Sequence, residues 1–459
     1  MSITELVAKN KSLQYIDAKN GSSMSFNEIL VNNPMLERPK SLVFLYVDNS
    51  LNSIIAFWNF VHSDHTIALL SPKMNPDHKE NLEKLYSPYY IYDPTRTEID
   101  TFKERPFVHG LSLFESETIP TYIIHPKVKI LLSTSGTTGS PKFVKLSEEN
   151  ILQNALSIVD YLPIRSDDVT PLNLPIYYSY GLSVLTSNSL AGGIIIASNN
   201  DIMMKDFWKD FEKFGYTSLA GVPFVYEMLN RIGFTKKTYP SLRYLTQAGG
   251  RLNEKTVTFF ADYCAEQDVS FYVMYGQTEA TARMSFLAPN YVHKKPASIG
   301  KAIKNGKFMI DPETSELYYE GPNVFGGYAS TYSDLDTFSD EQLLKTGDIA
   351  RKDDDDFFYI TGRLKRFVKL MGSRINLDEV EALLKNKFHG VTFVCIGLDD
   401  KKMLVGQVSG NVSHKTITDF LVAELKIHPT VLKIENIEEI PLTVNGKPDY
   451  NRIYETYKS

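Results

Sequence analysis

The 459-residue chain is poor in cysteine: its two, Cys264 and Cys395, lie far apart with no metal-ligand spacing. That argues against a disulfide framework or a cysteine zinc site and points to buried thiols in a reducing compartment. Long apolar runs are also missing. The nearest candidate, residues 190–198, is too short to cross a bilayer. The opening stretch MSITELVAKNKSLQY has no apolar signal-peptide core. An excess of basic charge is absent too, since the net charge is −6, and this gives no reason to expect a nucleic-acid partner. The expectation is a cytoplasmic protein with neither a membrane nor a nucleic-acid partner. What is present is ordinary for a soluble globular chain, 43% apolar and 23% charged residues. The length is too great for one core, so two or more domains are expected.

The most informative stretch is 131–145, LLSTSGTTGSPKFVK. Val128, Ile130, Leu131 and Leu132 read as a strand, which then breaks into Ser133, Thr134, Ser135, Gly136, Thr137, Thr138, Gly139, Ser140, Pro141 and Lys142. Glycine lets backbone approach a ligand closely, and successive N–H groups in such a turn make an anion-binding concavity. The hydroxyls add donors and Lys142 adds a cation, which together suit a polyphosphate. The loop lacks the Gly-Lys-Ser/Thr of a Walker motif. A solvated Ser/Thr/Gly linker is the bland alternative, but a linker has no reason to follow a buried strand directly.

Upstream, residues 41–47 and 65–71 read as strands and 53–62 as a helix, an alternation that implies layered α/β structure with parallel sheet. Downstream, Ser147 is placed to cap a helix reaching about Tyr161, with Glu148 and Glu149 in its first turn. Residues 217–222 and 242–250 read as strands, the second ending in Ala248, Gly249 and Gly250. The acidic run 353–356 reads as a solvated hairpin tip, and Asp378 to about Lys387 as a helix.

The loop at 133–142 is similar to the phosphate-binding signature of the adenylate-forming superfamily. That superfamily comprises acyl-CoA synthetases, peptide-synthetase adenylation domains and luciferase-like AMP-binding enzymes. Three further stretches carry the resemblance: 273–281 (VMYGQTEAT), 345–348 (KTGD) and 361–384 (TGRLKRFVKLMGSRINLDEVEALL). It implies a multidomain α/β fold. A large N-terminal domain of layered α/β subdomains plus a small β-rich subdomain, residues 1–364, would bind ATP and acid. A mobile, small α+β C-terminal domain, residues 365–459, would carry Lys447.

By the same resemblance, Ser133, Thr134, Ser135, Gly136, Thr137, Thr138, Gly139 and Lys142 cradle the phosphates. Adenine lies against Ala248, Gly249 and Gly250 and stacks on Tyr275, which Gly276 follows. Thr278 donates to a phosphate oxygen, and Glu279 holds Mg²⁺, a hard cation that prefers oxygen ligands. Asp348 takes the ribose hydroxyls and Arg363 bonds ribose or phosphate. Lys365 is the hinge, Gly372 and Arg374 belong to the loop that moves in, and Lys447 reaches the carboxylate and α-phosphate. Arg366 departs from the acidic or small residue expected beside such a hinge.

The acid would lie near Tyr178, Tyr180, Gly181, Val222 and Gly249. Tyr178 stands where acyl-CoA synthetases usually have a histidine, and Gly181 where peptide-synthetase domains have an aspartate. No acidic residue occurs between Pro171 and Asn200, which disfavours an α-amino acid substrate. The implied activity is ATP-dependent formation of an acyl adenylate from a small-molecule carboxylic acid with release of pyrophosphate. Transfer to the thiol of CoA, or of a carrier-protein phosphopantetheine arm, would follow. Passing the acyl group to an amine or hydroxyl, activating an amino acid, or binding nucleotide without catalysis are the alternatives.

Overall fold

The structure, a computed structural model, describes residues 1–133, 142–364, 366–370, 373–398, 402–408, 410–442 and 448–457. The chain forms two compact units, Met1–Lys307 with Tyr319–Leu344, and Phe308–Tyr318 with Lys345–Ser459.

The first unit is built on apolar strands that are buried on both faces, the pattern of a parallel sheet covered by helices. Leu42–Tyr46 and Thr66–Leu70 are buried at every position. They pair in parallel, and Tyr90–Tyr92 and Ile130–Ser133 extend the parallel core on either side. Antiparallel strands complete an eight-stranded mixed sheet, with Phe143–Leu146 and then Tyr328–Ala329 at one edge. The helix Leu51–His62 crosses over between the first two strands and is buried along most of its length. Its C-terminal carbonyls are met by a cation, as free helix C-termini favour. Lys129 Nζ donates to the Phe60 and His65 carbonyls, each at 3.1 Å, and to that of Ser63. Burial pulls this ammonium down to about 7. The helix expected after Ser147 runs Glu148–Tyr161, closed by a capping box between Ser147 and Asn150.

A second sheet in this unit has Ser218–Gly221, Tyr244–Gln247 and Ser270–Tyr275 in parallel, followed by Ser285–Leu287 and Lys301–Ala302 antiparallel. Helix Ser179–Ala191 is buried along most of its length. Its Gly181 sits where an added Cβ would lie 2.1 Å from the Pro175 carbonyl oxygen, so close approach to residues 174–175 requires glycine there.

The second unit begins upstream of the expected 364/365 boundary, for identifiable reasons. The Leu343–Lys352 and Phe358–Arg363 hairpin is tied to the 308–318 segment. Thr346 Oγ1 donates to the Leu317 carbonyl at 2.6 Å, and the Gly347 N–H donates to the Glu316 carboxylate at 2.9 Å. The Phe308 and Phe358 rings lie 5.0 Å apart. Asp354, Asp355 and Asp356 are exposed in the turn between the two strands. Farther on, strands Thr392–Leu398, Lys402–Val408 and Leu432–Asn436 form a sheet whose apolar face packs with helices Leu377–Lys387 and His414–Leu425.

Arg366, the residue that departed from pattern, is the hub of this unit. It donates to Glu381 at 2.7 Å, the Cys395 carbonyl at 2.8 Å, the Tyr450 hydroxyl at 3.0 Å, and Asp378. Its guanidinium also lies 3.8 Å from the Tyr450 ring centre. Two carboxylates, a carbonyl and an aromatic face together supply what a small residue could not. No helix among the described residues is long and apolar enough to cross a membrane.

Candidate active site

In the first unit the site grows from strand ends. Strand Ser270–Tyr275 delivers Tyr275, half-buried, and then a tight turn. Gly276 must be glycine, because a Cβ there would lie 1.8 Å from the Ala282 carbonyl oxygen. Thr278–Ala280 form one 3₁₀ turn, and Thr281 (φ 55°) and Ala282 (φ 96°) then carry the chain through the left-handed region. Two consecutive non-glycine residues with positive φ are costly and persist only where their surroundings hold them. Asn323 does the holding. Its Nδ2 donates to the Ala280 carbonyl at 2.7 Å and the Arg283 carbonyl at 2.9 Å, and its own carbonyl accepts from Thr281 Oγ1 at 2.7 Å. The Phe325 N–H donates to the Glu279 carbonyl at 2.9 Å.

Thr278 and Glu279 are thereby presented half-exposed. Thr278 Oγ1 lies 3.3 Å from Ser179 Oγ, at the start of the Ser179–Ala191 helix. Glu279 Oε1 accepts from the Tyr328 hydroxyl at 2.8 Å. Burial and this carboxylate push the Tyr328 phenol well above its ordinary pKa. Tyr328 is paired with Val144 on the strand that follows the Ser/Thr/Gly loop, and Ser133, on the strand before it, pairs with Phe143. The fold therefore brings Glu279 to the two strands that bracket residues 134–141. Thr134, Ser135, Gly136, Thr137, Thr138 and Gly139 lie outside the described residues, as do Lys365, Gly372 and Lys447. Lys142 is exposed.

The small-residue patch lies at the end of Tyr244–Gln247. Buried Gln247 ties it down, its Nε2 donating to the Gly250 carbonyl at 2.9 Å and the Ala248 carbonyl at 3.3 Å. Gly249 has φ 82°, and a Cβ on it would stand 2.5 Å from the Tyr178 hydroxyl and 3.1 Å from Val222. Tyr178 and Val222 thus both adjoin Gly249. Burial lifts the Tyr178 phenol to about 12, partly offset by the charge of Arg283. Tyr180 is buried, its hydroxyl bonded to the carbonyl and Oγ1 of Thr246 at 3.0 and 2.9 Å.

Asp348 and Arg363 belong to the second unit. They stand opposite each other in the hairpin register, with Arg363 Nε 2.9 Å from the Asp348 carboxylate. Among the described residues no group of three His, Cys, Asp or Glu side chains could by itself enclose a metal. Glu279 alone fits Mg²⁺, which uses one or two carboxylates and takes its remaining ligands from phosphate and water. Sequence reasoning missed Ser179, Asn323, Tyr328 and Gln247, which hold the Thr278–Glu279 turn and the patch. No local signal marks them, because each acts on residues distant in sequence or on its own turn.

The family described as AMP-binding enzyme matches residues 127–329, which hold the loop, the patch and the Thr278–Glu279 turn. Over this stretch the chain is similar to the AMP-binding enzyme family. It is 28% identical over 336 residues to a 2-succinylbenzoate–CoA ligase of Bacillus cereus, covering 69% of this chain and 68% of that one. It is 24% identical over 410 residues to an oxalate–CoA ligase of Arabidopsis thaliana, covering 84% and 78%. Among solved structures, ATP-bound MatB from Rhodopseudomonas palustris aligns with a TM-score of 0.79 at 22% identity, over 100% of this chain and 99% of that one. The o-succinylbenzoate CoA synthetase of Bacillus subtilis bound to its acyl-adenylate intermediate aligns with a TM-score of 0.75 at 18% identity, over 98% and 97%. The α/β fold of the chain is therefore shared with these structures along nearly its whole length.

Proposed function

We propose that the protein is an AMP-forming acid–thiol ligase. A carboxylate oxygen of the acid attacks the α-phosphorus of ATP, the bond from that phosphorus to the α,β-bridging oxygen breaks, and pyrophosphate departs. The thiol of CoA then attacks the acyl carbon, AMP leaves, and a thioester results. The observation that carries the reading is the Thr278–Glu279 turn, held between the strands bracketing the Ser/Thr/Gly loop and the helix that also bears Tyr178 at its start. Relatives named as CoA ligases support the acceptor.

The first step brings two anions together, so fixed donors aimed at the charged transition state lower the barrier. Thr278 would donate to a phosphate oxygen. Glu279, oriented by Tyr328, would hold Mg²⁺, which when bound neutralises phosphate charge. Residues 133–142 would cradle the phosphates, Tyr275 would stack on adenine beside Ala248–Gly250, and Asp348 and Arg363 would take the ribose side. Lys447 would meet carboxylate and α-phosphate by charge and positioning. Between the two steps the C-terminal domain would turn about Lys365, withdrawing Lys447 and bringing in Gly372 and Arg374, a hinge motion of a common kind. A carrier-protein phosphopantetheine arm offers the same thiol and is a second acceptor to test.

The test is a pyrophosphate-release screen over carboxylic acids, repeated with CoA, a phosphopantetheinylated carrier protein and amines. Acid-dependent release with thioester formation from CoA supports the proposal. Nucleotide binding without release for any acid overturns it, and transfer to amines alone replaces the acceptor.

A further inference from the structure

The turn after strand Leu42–Tyr46 divides its work unevenly. Asp48 accepts from the Ser50 N–H at 2.9 Å and from Ser53 Oγ at 2.8 Å. Ser50 caps the helix Leu51–His62 through the Ser53 N–H. These bonds close the turn and leave the buried carboxamide of Asn49 for another task. Its Nδ2 donates to the Leu172 carbonyl at 2.6 Å and the Leu174 carbonyl at 3.1 Å, and its Oδ1 accepts from the Ile176 N–H at 3.1 Å. The three partners lie 123, 125 and 127 residues farther along the chain. Two carbonyls on one side and an N–H on the other suit a carboxamide, and neither a carboxylate nor a hydrocarbon of its size.

The clamped segment leads straight into Tyr178. The Leu174 carbonyl oxygen that Asn49 holds also stands 2.6 Å from where a Cβ on Gly181 would lie, so it is in contact with the helix Ser179–Ala191 as well. Tyr178 donates its N–H to the Pro175 carbonyl at 3.0 Å and has no side-chain cap of its own. Its hydroxyl faces Gly249. Asn49 is in turn held from the surface. Exposed Asn199 accepts from its backbone N–H at 2.9 Å and donates to Asp48 at 2.7 Å. The Thr278–Glu279 turn is held separately, by Asn323.

We propose that Asn49 is a positioning residue for the acid: its three bonds to residues 172–176 fix Tyr178 against Gly249, and it thereby sets how tightly the acid is held without touching acid or nucleotide. This rests on the ligase reading above, in which the acid lies beside Tyr178 and Gly249. Loss of the carboxamide leaves two carbonyls and an N–H of the buried residues Leu172, Leu174 and Ile176 without these partners. Such groups are costly when unsatisfied, so the segment shifts to find others. One residue separates Ile176 from Tyr178, and the tyrosine moves with it. A displaced pocket wall weakens ground-state and transition-state binding of the acid alike, which raises KM and leaves kcat.

Asn59 supplies a matched control. It is equally buried, and its side chain makes the same set of bonds, to the Ile29 and Ile55 carbonyls and from the Val31 N–H, all outside the 172–178 segment. The full chain, Asn49→Ala and Asn59→Ala are compared in two ways. First, 3-fluorotyrosine replaces Tyr178 and its ¹⁹F resonance is recorded. The resonance should move in Asn49→Ala and stay in Asn59→Ala; no movement in Asn49→Ala, or equal movement in both, overturns the proposal. Second, the acid KM is measured by pyrophosphate release with whichever of acetate, hexanoate and benzoate the parent uses fastest. Asn49→Ala should raise it at least fivefold with kcat and the KM for ATP within twofold, while Asn59→Ala leaves it within twofold. In a Tyr178→Ala background Asn49→Ala should add nothing; a full further rise there shows that Asn49 does not act through Tyr178 and overturns the proposal. If Asn49→Ala fails to fold, Asn199→Ala at the exposed end of the clamp takes its place in both measurements, with an acid KM raised at least twofold expected and an unmoved resonance or KM the refutation. Should none of the acids drive release, that result bears on the ligase reading, and the ¹⁹F comparison alone decides whether Asn49 positions Tyr178.

Discussion

Gly249→Ala tests the geometry at the junction of patch and pocket. The backbone there has φ 82°, and the new Cβ would lie 2.5 Å from the Tyr178 hydroxyl and 3.1 Å from Val222. Placing an L-residue in the left-handed region costs roughly 1–2 kcal/mol, and overpacking adds about 1–3 kcal/mol. The two costs have different origins and can be separated. Tyr178→Phe deletes the oxygen at 2.5 Å and leaves the ring carbon at 3.7 Å, which is ordinary contact. No hydrogen bond to that hydroxyl occurs among the described residues, so Tyr178→Phe alone should be near neutral. In the Tyr178→Phe background Gly249→Ala should therefore cost less by about 1–2 kcal/mol, a coupling within the usual range for contacting residues. Urea unfolding followed by tryptophan fluorescence reads this cleanly, since both tryptophans, Trp58 and Trp208, belong to the first unit. The acid KM should rise in Gly249→Ala and recover in part in the double variant. Additivity within about 0.5 kcal/mol would refute the steric argument.

Arg366→Ala should destabilise the second unit by about 3–5 kcal/mol, because Glu381, whose pKa burial already raises, is left uncompensated; faster proteolytic cleavage within Lys345–Ser459 than in the parent would report it, and unchanged resistance would count against it. Lys447→Ala should abolish acid-dependent pyrophosphate release while ATP binding persists, as measured with a non-hydrolysable analogue; undiminished release removes Lys447 from the first step. Tyr328→Phe frees Glu279 from its 2.8 Å bond and should raise the Mg²⁺ concentration needed for half-maximal activity severalfold, a shift that a magnesium titration would show or deny. Burial pushes the Cys264 thiol up to about 12, so it should resist disulfide reagents at pH 8 until the chain unfolds. The sign of the linked stability follows. The unfolded thiol ionises near 8.5 while the folded one keeps its proton, so this group's contribution is complete below about pH 8.5 and is lost as pH rises toward 12. A Cys264→Ala variant whose stability tracked the parent's across that range would contradict it.

Much of the fold was legible because its signals are local. Continuous apolar runs marked the buried strands at Leu42–Tyr46, Thr66–Leu70 and Ile130–Ser133. Ser147 with Glu148 and Glu149 after it marked the start of Glu148–Tyr161. The four motif clusters carried the resemblance to adenylate-forming enzymes by their residue types and order alone. The division into units was less legible, since the 308–318 segment joins the second unit through single bonds such as Thr346 to Leu317.

By itself the sequence determined which residue types are offered to a nucleotide and an acid, because glycine, hydroxyl and carboxylate chemistry is carried by each residue whatever its surroundings. Only the tertiary structure decided how those residues are held and which charges are buried. Asn323 grips a turn some forty residues earlier in the chain. Arg366, an exception by pattern, becomes the hub of a network reaching Tyr450. Arg283, an unremarked neighbour of the Thr-Glu motif, becomes a buried cation. The reason is physical: the cost of burying a charge, or of holding a backbone at positive φ, is set by partners distant in sequence, and these meet only once the chain has folded.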